Sequence, residues 1–144
     1  MHVNDLLLNQ DKGLVTIPAN ATVAKVVTVL NENDIGAVPV CDPSGNLVGI
    51  ISERDIVRGL AENINGLNGL TVADLMTSNV VKCTSDEDVN DIMAVMDKRH
   101  IRHIPVMEGQ RPVAVVSSRD VMAAVLLETK NHCKTLGLAY EMVR

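Results

Sequence analysis

Two short segments of this 144-residue chain place the same side chains at the same spacing: Ser52-Glu53-Arg54-Asp55 and, 65 positions later, Ser117-Ser118-Arg119-Asp120. An ionised carboxylate can accept both hydroxyls of a vicinal diol in charge-assisted hydrogen bonds, each worth about 1.5–3 kcal/mol. The adjacent arginine offers a planar fork that fits phosphate oxygens. Each segment follows an apolar run and opens an expected helix, where free N–H groups and the positive end of the dipole favour an anion. Ser-x-x-Asp is also the pattern of a capping box, in which the serine caps the helix and the acid reaches back to the cap N–H. The two readings are compatible, since the serine can cap while the aspartate binds. A second Arg-Asp pair at the matching position is not something capping requires.

A second cluster, Arg102 and His103, lies just before Pro105. Its counterparts 66 positions earlier are Gly36 and Ala37, so the first copy has no cation there. His100 and His103 do not suggest a metal site, because strand residues three apart point to opposite faces and no third ligand is near. Asp86-Glu87-Asp88 reads as an acidic helix start, and His132-Cys133 as part of a tail. There is no Gly-x-Ser-x-Gly, no Walker phosphate loop and no activated Cys-His pair, so no catalytic residue and no enzyme is expected.

The elements that must hold these groups repeat as well. Ile35-Gly36-Ala37-Val38-Pro39-Val40 returns as Ile101-Arg102-His103-Ile104-Pro105-Val106, and Val23, Val26, Val27 and Leu30 return as Val89, Ile92, Met93 and Met96, both 66 positions on. The latter sets have helical spacing. The offset drops to 65 across the turn, where Asp42-Pro43-Ser44-Gly45-Asn46 is answered by the tighter Glu108-Gly109-Gln110-Arg111, as hairpin loops allow. Each copy therefore reads as βαββα, an α/β (α+β) arrangement of two repeats about a pseudo-twofold axis. The first strands are expected at Leu14 to Ile17 and Val80 to Cys83. The last strands, Leu47 to Ile51 and Val113 to Val116, are nearly continuous apolar runs, which predicts burial on both faces. Residues 1–62 form the first repeat, 63–70 a Gly/Asn-rich linker, 71–127 the second repeat, and 128–144 a helical tail with a break near Gly137.

Composition bounds the function. With no Trp, no Phe and one Tyr, the core must be aliphatic, and one repeat alone buries too little; the two are expected to pack face to face and share a core, with Met93, Met96 and Met122 in the packing. Aromatic platforms for single-stranded nucleic acid are excluded. Thirteen basic and eighteen acidic residues give a net charge of −5 with the basic ones scattered, so no nucleic-acid partner is expected. No apolar run nears the roughly 20 residues that cross a bilayer, and the first residues lack the pattern of a secretory leader. Three widely spaced cysteines suggest no disulfide framework. A cytoplasmic protein without a membrane partner is the expectation.

Two βαββα copies, each with an Ile-x-x-h-Pro-Val strand (h, apolar) and an apolar strand running into Ser-x-x-Asp, resemble the paired cystathionine-β-synthase (CBS) motifs that form a Bateman module. The likeness covers about residues 3 to 125. It implies a sensor of adenosyl compounds with two clefts between the repeats, able to hold AMP, ADP or ATP, NAD(H) or S-adenosylmethionine, with no required cofactor, a homodimeric assembly, and a separate effector protein of unknown identity. The resemblance gives the Ser-x-x-Asp aspartate to the ribose hydroxyls and the head of the Pro-Val strand to adenine and phosphates. One nucleotide-binding set would then be Ile101, Arg102, His103, Thr77 and Val80 with Ser52, Arg54 and Asp55. The other would be Leu14, Ile35, Gly36 and Ala37 with Ser117, Arg119 and Asp120. The alternative is a structural dimerisation module whose clefts hold nothing.

Overall fold

A computed structural model of the chain describes residues 1–8, 10 and 13–143. The elements run α1 (Val3–Leu7), β1 (Ile17–Pro18), α2 (Val23–Asn33), β2 (Ala37–Cys41), β3 (Leu47–Ser52), α3 (Glu53–Glu62), α4 (Val72–Leu75), α5 (Val89–Arg99), β4 (His103–Glu108), β5 (Arg111–Ser117) and α6 (Ser118–Val143). In the first half β2 is central, parallel to β1 and antiparallel to β3. In the second, β4 pairs antiparallel with β5, and the place of β1 is taken by one parallel bridge, Cys83 to Val106. Its register is that of Ile17 to Val40 in the first half. The duplication extends to irregularities: both hairpins shift register at the same point, between Val40 and Cys41 and between Val106 and Met107.

The helices form where their caps and faces agree. Thr22 caps α2 through a bond from the Lys25 N–H, and Asp88 caps α5 through one from Asn90. Both helices end on a non-glycine residue in the left-handed region, Asp34 (φ 51°) and His100 (φ 54°), which turns the chain sharply into β2 and β4. Apolar spacing buries Val23, Val26 and Leu30 on one helix and Val89, Ile92 and Met96 on the other.

Several expectations are corrected. The first strands shrink to Ile17–Pro18 and to the single bridge at Cys83, because Val80 and Val81 turn instead to line a cleft. Burial on both faces belongs to β2, buried at all five positions, and not to β3 or β5, which alternate and leave Val48 and Val113 exposed. An outer strand can be apolar throughout and still face solvent. Met96 is buried, but Met93 and Met122 are exposed. No break occurs at Gly137: α6 is one helix of 26 residues, since a lone glycine costs a helix only about 1 kcal/mol against alanine.

The expected common core resolves into two. Ile17, Val23, Val26, Leu30, Val38, Val40 and Ile51 cluster in the first half, and Cys83, Val89, Ile92, Met96, Ile104, Val106, Val116, Val121 and Ala124 in the second. Each is completed by the other half's leading helix. Val72 of α4 sits in the first core and Val3 of α1 in the second, both fully buried. Backbone bonds fix the exchange: Val72 N–H to Ala21 O (2.8 Å) and Ala73 N–H to Ala19 O (2.9 Å) on one side, Val3 N–H to Glu87 O (2.9 Å) and Asn4 N–H to Ser85 O (2.8 Å) on the other. None of the described helices is long and apolar enough to cross a membrane.

Candidate functional site

Where the halves meet, a cleft of about 400 Å³ opens. One wall is the β3–α3 junction, with Ser52, Glu53, Arg54, Asp55 and Arg58; the other is the turn from α5 into β4, with Arg99, His100, Ile101, Arg102 and His103. Thr77, Asn79, Val80 and Val81 cross between them. Thr77 is held there by a two-way bridge with Ile50 of β3, N–H to O at 2.9 and 3.0 Å. The close approach requires Gly49, since a Cβ there would lie 2.6 Å from the Met76 sulfur and 3.0 Å from the Thr77 carbonyl oxygen.

All eight residues of the first expected set line this one cleft: Ser52, Arg54, Asp55, Thr77, Val80, Ile101, Arg102 and His103. Of the second set, Gly36 and Ala37 border the same cleft, Ile35 packs against the first core, and Leu14 is exposed. Ser117 and Asp120 reproduce the local geometry of Ser52 and Asp55, with the Ser117 N–H donating to Asp120 Oδ2 at 2.9 Å and the Asp120 N–H to Ser117 Oγ at 3.2 Å. Arg119 is exposed.

Asp55 shows how capping and binding divide. Its Oδ2 accepts from the Ser52 N–H at 2.8 Å and the Ser52 hydroxyl at 3.1 Å, completing the capping box. Those two bonds fill the lone-pair sites of Oδ2. Oδ1 has no partner among the described residues and keeps two acceptor sites, the number a vicinal diol needs. Four arginines line the same cleft, Arg54, Arg58, Arg99 and Arg102, against the two acids Glu53 and Asp55, a local cationic excess in a chain of net charge −5. Arg54 spans the halves, its Nη1 donating to the His100 carbonyl at 3.4 Å. Ile50, Val80, Val81 and Ile101 supply apolar wall.

His103 of β4 lines the cleft and packs against Gly36 of the other half. A Cβ on Gly36 would come within 3.0 Å of its imidazole, so glycine makes room for the ring. Burial pushes the His103 pKa below its ordinary 6.5; the carboxylates of Glu53 and Asp120 work against that shift and Arg102 works with it. The ring is therefore neutral at pH 7. Among the described residues no group of acids, histidines and cysteines could hold a metal ion. Cys41 and Cys83 are buried, and burial raises the Cys83 thiol to about 12, so neither is a ready nucleophile.

Sequence reasoning missed Arg58, Arg99, Asn79 and Glu53. Arg58 had a signal, one helical turn past Arg54 on α3. Arg99 had only its place in the last turn of α5.

A ligand-sized cleft built between duplicated α/β halves, with an open carboxylate oxygen and clustered guanidinium groups, defines a paired-repeat ligand-binding module. The family model for the CBS domain matches residues 3–62 and 72–127, and the chain belongs to that family. It is 32% identical over 120 residues to the L-aspartate semialdehyde sulfurtransferase of Methanocaldococcus jannaschii, a match covering 83% of this chain but only 22% of that protein. Among solved structures, a CBS-domain containing protein from Agrobacterium tumefaciens superposes with a TM-score of 0.81 at 32% identity, covering 86% of this chain and 98% of that one. The CBS domain pair of protein MJ0100, solved in complex with 5′-methylthioadenosine and S-adenosyl-L-methionine, superposes with a TM-score of 0.77 at 30% identity, covering 90% and 98%.

Proposed function

We propose that this chain is a regulatory module that binds an adenine nucleotide in the cleft between its repeats, with AMP, ADP or ATP as its ligand class, and has no catalytic role. The carrying observation is the combination at one cleft of Asp55 Oδ1, free to accept a ribose diol, with four guanidinium groups. The apolar wall at Ile101, Val80 and Val81 suits adenine. The cationic excess favours phosphorylated ligands, NAD(H) included, over S-adenosylmethionine, which brings positive charge of its own. The related pair that holds adenosyl compounds supports the adenosyl part of this reading. The second set, around Ser117, Arg119 and Asp120, is a weaker site, since Gly36 and Ala37 stand where Arg102 and His103 stand in the first.

A ligand wedged between the halves shifts their relative tilt only by as much as it prefers one arrangement. A cytoplasmic homodimer would pass that tilt to a separate effector protein. Titration calorimetry with AMP, ADP, ATP, NADH and S-adenosylmethionine tests the proposal. We expect binding by the nucleotides, a weaker response to S-adenosylmethionine, and recovery of the ligand unchanged. Heat from none of them would leave a structural dimerisation module, and chemically altered nucleotide would make the protein an enzyme.

A further inference from the structure

The part of α6 that leaves the second core carries a second pattern unrelated to the cleft. From Met122 onward, Leu126, Cys133, Leu136, Tyr140 and Val143 follow at alternating steps of four and three, with Thr129 at the one polar position of the series. That is the a and d spacing of a heptad, sustained over three repeats. The core-facing residues of this helix, Val121 and Ala124, lie between about a quarter and nearly half a turn away at 3.6 residues per turn. The seam therefore faces away from the module. Its Met, Leu, Tyr and Val members are 56–89% exposed, Cys133 is exposed as well, and no residue from 129 to 143 is buried. An apolar helix face of this length has no reason to exist on an isolated chain. Lys130, Lys134 and Glu141 lie off it, so no charge interrupts the contact.

We propose that this seam is a self-association surface: the α6 helices of two copies pair in parallel and in register as a short two-stranded coiled coil. A 3.5-residue repeat fits a partner helix carrying the same repeat, and a second copy of the chain supplies one. Area decides the orientation. The seam is a strip about 33 Å long and about 10 Å wide, roughly 350 Å² per helix, less than half of the ~800 Å² per partner in a stable interface. The rest has to come from the repeats themselves. Exposed apolar side chains are there, Val57 and Leu60 on α3 among them, and Met122, the first seam residue, is the second-repeat counterpart of Val57. Only parallel helices bring both modules to the same end, where those side chains can meet. An antiparallel pair would set them at opposite ends and leave the strip alone.

The test uses the 144-residue chain without nucleotide, so it is independent of the binding proposal. Sedimentation equilibrium should show a dimer, and Leu136→Lys should weaken self-association at least tenfold. Leu136 makes no core contact, so circular dichroism and the thermal midpoint of the repeats should be unchanged, which separates lost pairing from lost folding. In a parallel register two Cys133 thiols face each other, and copper-phenanthroline in air should join them as a disulfide, with two electrons passing to the oxidant and two protons to solvent. Cys41 and Cys83 are buried and should stay reduced. A monomeric native chain, or a dimer indifferent to Leu136→Lys, would overturn the seam; a dimer that needs Leu136 yet forms no Cys133 disulfide would overturn the parallel register.

Discussion

The two oxygens of the Asp55 carboxylate face different tasks, and one substitution can separate them. In Asp55→Asn the amide carbonyl can still accept the Ser52 N–H and hydroxyl bonds that Oδ2 takes now, so the start of α3 keeps its cap. The amide nitrogen would then stand where Oδ1 stands and present donors to a diol that also donates. Two lost charge-assisted bonds amount to at least about 3 kcal/mol, so nucleotide affinity measured by calorimetry should drop by at least about a hundredfold with little change in thermal midpoint. Equal affinity would remove the ribose role. His103 makes a prediction about pH. Its native pKa is depressed by burial, so below about 6.5 the unfolded chain binds a proton that the folded chain resists, and stability falls as the pH drops through that window. Above it the contribution is fully present. Urea unfolding from pH 7.5 down to 5 should show this decline, and His103→Gln should flatten it. These residues were legible because they sit in repeated motifs. Arg58 shares a helix face with Arg54 and carried a signal; Arg99 did not, since it stands in the last turn of α5 and only the closing of one half on the other brings it to the cleft.

At the scale of elements, what could be read was whatever repeats at one offset. The pairs α2 and α5, β2 and β4, and β3 and β5 all recur 65 or 66 positions apart and were visible. The leading helices escaped because their own offset differs: Val3-Asn4-Asp5-Leu6-Leu7 answers to Val72-Ala73-Asp74-Leu75-Met76, 69 positions on. A second reason is physical. Helices of five and four residues have no amphipathic period to detect and no stability of their own; they exist because Val3 and Val72 are received into a core that the rest of their own half does not build. The same principle explains the misplaced burial. A run such as Leu47-Val48-Gly49-Ile50-Ile51 shows that a strand is apolar, but which strand lies in the middle of a sheet is settled by pairing, and β2 holds that place between β1 and β3. Conversely, Gly137 does not interrupt α6. One weak helix former among Leu136, Leu138 and Ala139 lowers helix stability without ending the helix.

For the whole molecule, the exchange of α1 and α4 means that the unit of folding is not the repeat that the sequence motifs mark out. Residues 1–70 hold the first repeat and its linker but lack Val72, the fully buried member that α4 adds to the first core, and with it the partly buried Leu75 and Met76. They also carry α1, whose Val3 would have no second core to enter. Residues 13–77, a shorter piece, contain the first core complete with α4 and with the Thr77 bridge to Ile50. At roughly 60–70 residues, domains are marginal, and losing one buried valine from such a core costs about 2 kcal/mol, a large share of what a small domain has. The shorter fragment should therefore be the better folded of the two, with a cooperative urea transition where 1–70 shows a broad, low-helix profile by circular dichroism. Should 1–70 fold as well as 13–77, each half would be self-sufficient. The exchanged helices would then be attachments, and a nucleotide between the halves could tilt them freely. With the exchange, tilting one half strains the helix it has lodged in the other, so a change at the cleft beside Thr77 is felt in both cores.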